Sequence, residues 1–339
     1  MAVDAGPDYE EYRAAFAAAG LPVGLAEVLL GAVSMLWAFA VFAYLAKMAR
    51  RVSVILDDLR VLPGRAGLAA ASMGAMALAA VLAPYGTGLA RAVLVAALAA
   101  HLGLMLAVLR VLAGLPRQAR EVTPAFHLTF VGFIVGGLAA PAVGWDGVAV
   151  ALLWLTVPVA AVIWGISAAQ LVRRIPPAPL RPLLAIHLAP ASLFALVSAG
   201  IGMEGAALAF AGLGGVILLA LIGASRWIGE SGFSALWGSF TFPLAAYASA
   251  LFVVGFPLGG MLLLVVALGL VPWIAWRVIT LWGSGRLAAE PLARVQRSAA
   301  LVAPSGRAAV QVLSGRPPAV RQTMVRLAPS CWDSAYGQG

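Results

Sequence analysis

The chain has 339 residues, of which 63% are hydrophobic and 10% are charged, and its mean hydropathy is +1.00. A soluble domain carries about 25% charged residues, so this composition excludes a soluble globular protein and predicts an all-α polytopic membrane protein. The net charge of +9 does not indicate a nucleic-acid partner, because the basic residues lie in connectors and in a tail.

Three regions follow one another along the chain. Residues 1–20 are acidic and lack a basic or apolar leader, so we expect an extracytoplasmic N-terminal segment there. Residues 21–284 form the predicted transmembrane transporter or channel domain, because they hold nine apolar stretches near the roughly 20 residues that a span needs. The predicted spans are 24–46, 66–84, 88–112, 124–141, 147–172, 182–201, 205–224, 233–255 and 258–282. Residues 285–339 are polar and basic, which predicts a disordered cytoplasmic tail.

The basic residues alternate between connectors, which predicts the orientation of the spans. Odd-numbered connectors are basic, whereas the even-numbered connectors hold only Arg91. The basic residues of the odd connectors are Lys47, Arg50, Arg51, Arg60, Arg65, Arg117, Arg120, Arg173, Arg174, Arg181 and Arg226. Positive charge marks the cytoplasmic side. We therefore expect an integral protein of the cell membrane, inner or plasma, with a cytoplasmic C-terminus.

The acidic residues argue for anions as the transported species. All thirteen lie in connectors, in the terminal segments or at helix ends. Cation-coupled transporters keep carboxylates near mid-membrane, so cation transport is disfavoured. No Lys or Arg lies at mid-span either, so an anion would be attracted by the backbone of broken helices.

Proline and glycine clusters mark alternate spans. They fall in the second, fourth, sixth and eighth spans, with Pro190 and Pro243 inside the last two and Pro158 in the fifth span as the exception. This alternation predicts an inner ring of broken helices around a lumen. The alternative is that Gly and Pro are simply frequent in membrane helices.

Three histidines, His101, His127 and His187, fall within predicted spans. His127 and His187 lie in proposed inner helices and are candidates to face the lumen; the alternative is a hydrogen bond to a neighbouring helix. No Cys or second His stands at ligand spacing, so we expect neither a metal site nor a cofactor. Paired aspartates are absent from the spans, and no spacing favours a Ser–His dyad, so an enzyme is not expected.

Four stretches resemble a known family. They are "TPAFHLTFVGFIVGG", "AVGWD", "LRPLLAIHLAPASLFAL" and "FSALWGSFTFPLAAYASA". They are similar to the tellurite-resistance/dicarboxylate transporter family, which includes TehA-type channels, malic acid transporters and plant slow anion channels. The resemblance runs from about Leu21 to Trp282. Its most specific part is the Trp-x-x-Phe-Thr-Phe-Pro run, where Gly238 replaces a tryptophan that the family usually has.

The resemblance implies ten helices arranged as five helical hairpins around a central pore, in a homotrimer. It implies that Phe242 is the pore gate and that Pro190 and Pro243 kink two pore helices. It also implies small anions as substrates: dicarboxylates such as malate, chloride, nitrate, sulfite or tellurite. Membrane lipid is the other expected partner.

The first predicted span resembles the family's second helix, and "YRAAFAAAGLP" resembles the linker before it, so the family's first helix is expected either upstream or not at all. The second case predicts a non-conducting remnant. A proton-coupled dicarboxylate exporter, in which His127 or His187 relays the proton, is the other alternative to an anion channel.

Overall fold

The computed structural model describes residues 23–115 and 120–284. The predicted extracytoplasmic segment 1–20 and the predicted tail 285–339 lie outside the described residues. The chain divides into two units, Met1–Ile274 and Ala275–Gly339. Of the second unit the structure describes only 275–284, at the end of the last helix.

Eleven α-helices make up most of the described residues. In chain order they are α1 Val23–Arg50, α2 Val54–Arg60, α3 Leu62–Leu82, α4 Thr87–Gly114, α5 Ile134–Ala142, α6 Asp146–Arg173, α7 Leu188–Gly200, α8 Glu204–Gly223, α9 Ser225–Ile228, α10 Thr241–Val253 and α11 Pro257–Gly283. Eight helical stretches are long and apolar enough to cross a membrane, and the shorter apolar stretch His127–Ala142 corresponds to the fourth predicted span, 124–141. The prediction of an all-α polytopic membrane protein is confirmed.

Three of these helices are preceded by a helical segment that is not α. A π-helical turn, His127–Val131, leads to α5, and two 3-10 segments, Ala178–His187 and Ala235–Phe240, lead to α7 and α10. Proline explains the first 3-10 segment, because the sequence "PPAPLRP" at 176–182 lacks four of the amide donors that an α-helix needs. Pro243 favours the second 3-10 segment, since a proline has no N–H to donate to the carbonyl of Ser239.

The same turn ends α5, α7 and α10. In each, a glycine adopts a positive φ: 75° at Gly144, 75° at Gly202 and 83° at Gly255. The residue after each glycine donates its N–H to the carbonyl five residues back, with N–O distances of 2.8, 2.7 and 2.8 Å. This is the Schellman arrangement, which satisfies the last carbonyls of a helix and requires glycine at the left-handed position. The three helices therefore turn into α6, α8 and α11 through the same hairpin geometry.

Helices α3, α5, α7 and α10 form a row in which each packs against the next, and α4, α6 and α8 pack against the first three of them. In the apolar window of Ala178–Gly200, the stretch that contains α7, 78% of the residues are buried. In no other long span does this share exceed 33%. Phe194 of α7 is fully buried, and Val197 packs close to Gly137 of α5. The row is thus centred on α7, and its members are the helices in which the sequence carries Pro or Gly clusters.

A close contact between α8 and α10 gives a test of this packing. Tyr247 donates its hydroxyl to the carbonyl of Ala211 at 2.8 Å, and its ring lies against Gly214, where an added Cβ would approach the ring to 2.5 Å. We expect Gly214→Ala to cost about 1–3 kcal/mol through overpacking, measured as a lower melting temperature of the detergent-purified protein. Gly212→Ala is the matched control, because its Cβ would meet nothing within 4 Å. Equal melting temperatures for the two variants would contradict this packing.

Candidate functional site

The candidate site lies where the inner helices change conformation. We call these places the three junctions: from the π turn to α5 at Val131–Ile134, from 3-10 to α at His187–Leu188, and from 3-10 to α at Phe240–Thr241. At such a change the regular hydrogen-bond ladder is interrupted, and amide and carbonyl groups become available to other partners. In membrane proteins, irregular backbone is tolerated where protein or a water-filled cavity surrounds it.

The two predicted kink prolines stand just after two of these junctions. Pro190 is the third residue of α7, and Pro243 is the third residue of α10. Neither proline has an amide hydrogen, so neither can donate to the carbonyl four residues back in the preceding 3-10 segment, that of Ile186 or Ser239. The structure thus places both prolines in the first turn of an α-helix that follows a 3-10 segment. A kink at either residue stays a prediction.

Phe242, the predicted gate, is the second residue of α10 and is 44% exposed. Its neighbours Pro243 and Leu244 are buried, so Phe242 lies on the opposite face of the helix. One turn on, the same face carries the exposed Ala245, and then Ser249, whose hydroxyl bonds back to the Ala245 carbonyl at 3.2 Å. Among the described residues no aromatic ring stacks on Phe242. The ring therefore stands at a junction, on a face whose next two residues are the small Ala245 and Ser249.

Two of the predicted lumen histidines meet each other. His127 begins the π turn before α5, and His187 ends the 3-10 segment before α7. The Nε2 atom of His127 lies 3.0 Å from Nδ1 of His187, and the rings are nearly perpendicular, with centroids 5.1 Å apart. Trp164 of α6 packs against the His127 ring and donates its indole N–H to the His187 carbonyl at 3.2 Å. The histidine pair thus joins the start of the π turn before α5 to the end of the 3-10 segment before α7.

The histidine pair is buried and only half satisfied. His127 is 3% exposed and His187 is 8% exposed, yet Nδ1 of His127 and Nε2 of His187 have no hydrogen-bond partner. Two neutral rings carry two N–H groups and two lone pairs, and their mutual bond uses one of each. The pair therefore still offers one donor and one acceptor, which could bind a water molecule or exchange a proton. Two imidazoles alone do not make a zinc site, and no described group of three or more metal-ligating side chains occurs.

His101 is a contrast to the pair. Its Nδ1 lies 2.7 Å from the hydroxyl of Ser72, and its Nε2 lies 3.1 Å from the carbonyl of Thr129. Its ring meets Phe133 edge-on, with centroids 4.5 Å apart, and also fills the space over Gly132. Both nitrogens are used, so His101 ties α3 to the π turn as a structural residue and does not join the other two histidines.

Charged groups surround the ends of the inner helices and avoid their middle. Arg181, which is buried, donates to the carbonyls of Pro176 and Trp227 at 3.0 Å each and pairs with Glu230. Its guanidinium also stacks on the Trp227 ring, 4.3 Å from the centroid. This arginine therefore ties the connector after α8 to the 3-10 segment that precedes α7.

Sequence reasoning treated His127 and His187 separately and missed their contact. A signal was present, because both lie in the same local pattern: "AFHL" at 125–128 and "AIHL" at 185–188. The pattern recurs in successive inner helices, ahead of the same glycine turn. A repeated side chain at equivalent places in neighbouring helices predicts proximity, which neither span suggests alone.

The sequence model of the voltage-dependent anion channel family matches residues 11–282. This chain belongs to that family. No curated protein matches the chain. The matched range includes all nine apolar stretches, the three junctions, Phe242 and the histidine pair, so the whole described membrane region is family sequence. The predicted resemblance is confirmed, and with it an integral membrane protein of a family of anion channels and transporters.

The histidine pair of this family member gives a second test. We expect His127→Leu or His187→Leu to lower stability by about 1–3 kcal/mol, because each leaves the other imidazole buried without its partner. The double variant should recover part of that loss, since both polar groups are then replaced by apolar ones. The measurement is the melting temperature of the purified single and double variants. Strict additivity would show that the two rings do not interact.

Proposed function

We propose that the protein conducts small anions through a pore lined by α3, α5, α7 and α10, with Phe242 as its gate. The family supports anions as the substrate class. The observation that carries the gate is the position of Phe242: a large ring at the junction that opens α10, on a face continued by Ala245 and Ser249. A ring across an otherwise small-residue lumen acts as a hydrophobic constriction that excludes water and ions.

The charges around the row support the anion pathway. Of the described residues on the arginine-rich side, the carboxylates Asp57, Asp58, Glu121 and Glu230 each pair with a Lys or Arg. None of them belongs to α3, α5, α7 or α10. An anion approaching the row therefore meets no unpaired carboxylate there. Chloride and nitrate fit this proposal, and sulfite, tellurite and dicarboxylates such as malate are the larger candidates.

Orientation and assembly complete the proposal. We propose that the starts of α3, α5, α7 and α10 lie on the cytoplasmic side of the cell membrane, with the C-terminus also cytoplasmic. The arginine-rich connectors support this orientation. Long apolar faces of α1, α8 and α11 are exposed in the single chain, with Phe39, Leu219 and Leu262 among their residues. These faces are available to lipid and to neighbouring copies in a homotrimer.

The gate is tested by removing the ring. We expect Phe242→Ala to raise anion current in planar bilayers or anion flux into liposomes by about tenfold or more, equivalent to a barrier lower by about 1.4 kcal/mol. Phe242→Trp should keep the pore closed, because it retains a large ring.

The matched control is Phe252→Ala, on the same helix ten residues later and 37% exposed. It should leave the current near the wild-type level. Unchanged current in Phe242→Ala, in a protein that conducts, would exclude the gate. An equal increase in Phe252→Ala would show that the effect does not depend on the junction.

A second candidate function is proton-coupled export of a dicarboxylate. The specific observation that favours it is the histidine pair, which holds two buried nitrogens without partners next to the row's centre. A pair of imidazoles with one free donor and one free acceptor can pass a proton along a hydrogen-bonded chain.

Proton coupling is tested by measuring malate flux into liposomes with and without a pH difference across the membrane. If protons are coupled, a pH gradient should drive malate flux in liposomes by the wild-type protein, and His127→Gln or His187→Gln should abolish that dependence. His101→Gln is the control, because both nitrogens of His101 are engaged in structural hydrogen bonds. Flux indifferent to the pH gradient in the wild type would leave the passive channel as the function.

A further inference from the structure

Arg65 stands apart from the other basic residues. Of the Lys and Arg side chains in the described ranges, only Arg65 and Arg181 are not exposed. Arg181 is fully engaged by two carbonyls, Glu230 and the Trp227 ring. For Arg65, in the first turn of α3, the described contacts include no ion pair, side-chain hydrogen bond or ring contact. A half-buried guanidinium without a protein partner keeps its N–H donors available to water or to an anion.

Arg65 lines a small cavity between α3, α4 and the chain that enters the π turn. The volume open to the centre of a water molecule is about 10 Å³, and Val108, Thr123, Phe126 and Thr129 also line it. That volume is close to what one water-sized species needs. Much of the lining is apolar, so a bound species would be largely shielded from solvent. The cavity excludes a dicarboxylate by size, so the candidates are small inorganic anions.

Thr123 supplies a second unsatisfied group at the same cavity. Its hydroxyl oxygen is buried and has no hydrogen-bond partner. A hydroxyl can rotate to donate toward an acceptor. An arginine and a threonine that line one small, largely apolar cavity supply the donors that bind an anion, since both groups stabilise negative charge.

The carboxylates closest to Arg65 and Thr123 along the chain form ion pairs with other basic residues, not with Arg65. Asp58, on the short helix just before α3, accepts a hydrogen bond from Tyr44 at 2.9 Å and lies 4.0 Å from the Lys47 ammonium. Glu121, two residues before Thr123, pairs with Arg174 at 3.2 Å. The nearest carboxylates along the chain are thus neutralised by other cations, and no described acidic side chain competes for the cavity.

From this geometry we propose that Arg65 and Thr123 form a binding site for a small monovalent anion, such as chloride or nitrate, on the arginine-rich side of the row. The site lies between the connectors and the π turn that carries His127, so an anion bound there has left bulk water but has not reached the junctions. Its role as an entry point rests on the proposed function. Binding itself can be measured without any flux.

The test is saturable binding of radioactive chloride to the purified full-length protein, followed by scintillation proximity, with nitrate as competitor. We expect Arg65→Gln to weaken chloride binding at least about tenfold, because a charge-assisted hydrogen bond is lost. Thr123→Val should weaken it by a smaller factor, and Arg65→Lys should retain part of it. Each variant is compared by size-exclusion profile and melting temperature, so that misfolding is detected directly.

Arg60→Gln is the matched control, because it removes the same charge from an exposed position five residues earlier. Its chloride affinity should stay within about twofold of wild type, since an exposed charge is screened by solvent and salt. The absence of saturable binding in the wild type, or equal affinity in Arg65→Gln and wild type, would overturn the site. An equal loss of chloride affinity in Arg60→Gln would also overturn the site, because the effect would then depend only on the net charge of the protein.

The binding assay and the current measurement separate the two proposals. Binding that depends on Arg65 in a protein that carries no current would refute the channel and leave the site. Current without saturable binding would refute the site and leave the channel.

Discussion

The membrane interior offers no water to an exposed peptide group, and this constraint governs where the chain can depart from an α-helix. All three departures within the apolar region, the π turn and the two 3-10 segments, belong to helices of the central row. The outer helices α4, α6 and α8, each of 20 to 28 residues, run as uninterrupted α-helices. Pro158 does not interrupt α6, which continues to Arg173. Within the described apolar region, irregular backbone is thus confined to helices of the central row.

The lack of water in the membrane interior also limits which polar side chains the row contains. The middle of the row contains histidine, serine and threonine, whose neutral forms can be buried at moderate cost, and it contains no described Lys, Arg, Asp or Glu. Guanidinium groups instead collect at the helix ends, where Arg181 is covered by Trp227 and Arg65 borders a cavity. Anions moving between these layers would pass from fixed positive charge to neutral hydrogen-bonding groups. Such an order attracts an anion without holding it too tightly to leave.

Much of the fold could be predicted from the sequence, because span length, charge alternation and the placement of Pro and Gly follow directly from the demands of the bilayer. The family was also predictable from the Trp-x-x-Phe-Thr-Phe-Pro run at 237–243. The contact between His127 and His187 was not, since sixty residues separate them and their distance depends on how α5 and α7 pack. The lack of an ion-pair partner for Arg65 could not be predicted from the sequence either. The nearby Asp57 and Asp58 are potential partners, and only the structure shows that both pair with other basic side chains.

The glycine turns that end α7 and α10 lie at the same sequence distance from the junctions that precede these helices. Both helices contain 13 residues between junction and turn, a length of about 20 Å at about 1.5 Å per residue. His187 and Phe240 therefore precede their turn glycines by the same number of residues. Insertion or deletion of one residue in either helix would change this spacing in that helix alone and rotate the side chains before it by about 100°. The match between the two junctions thus depends on equal helix lengths as much as on any contact between them.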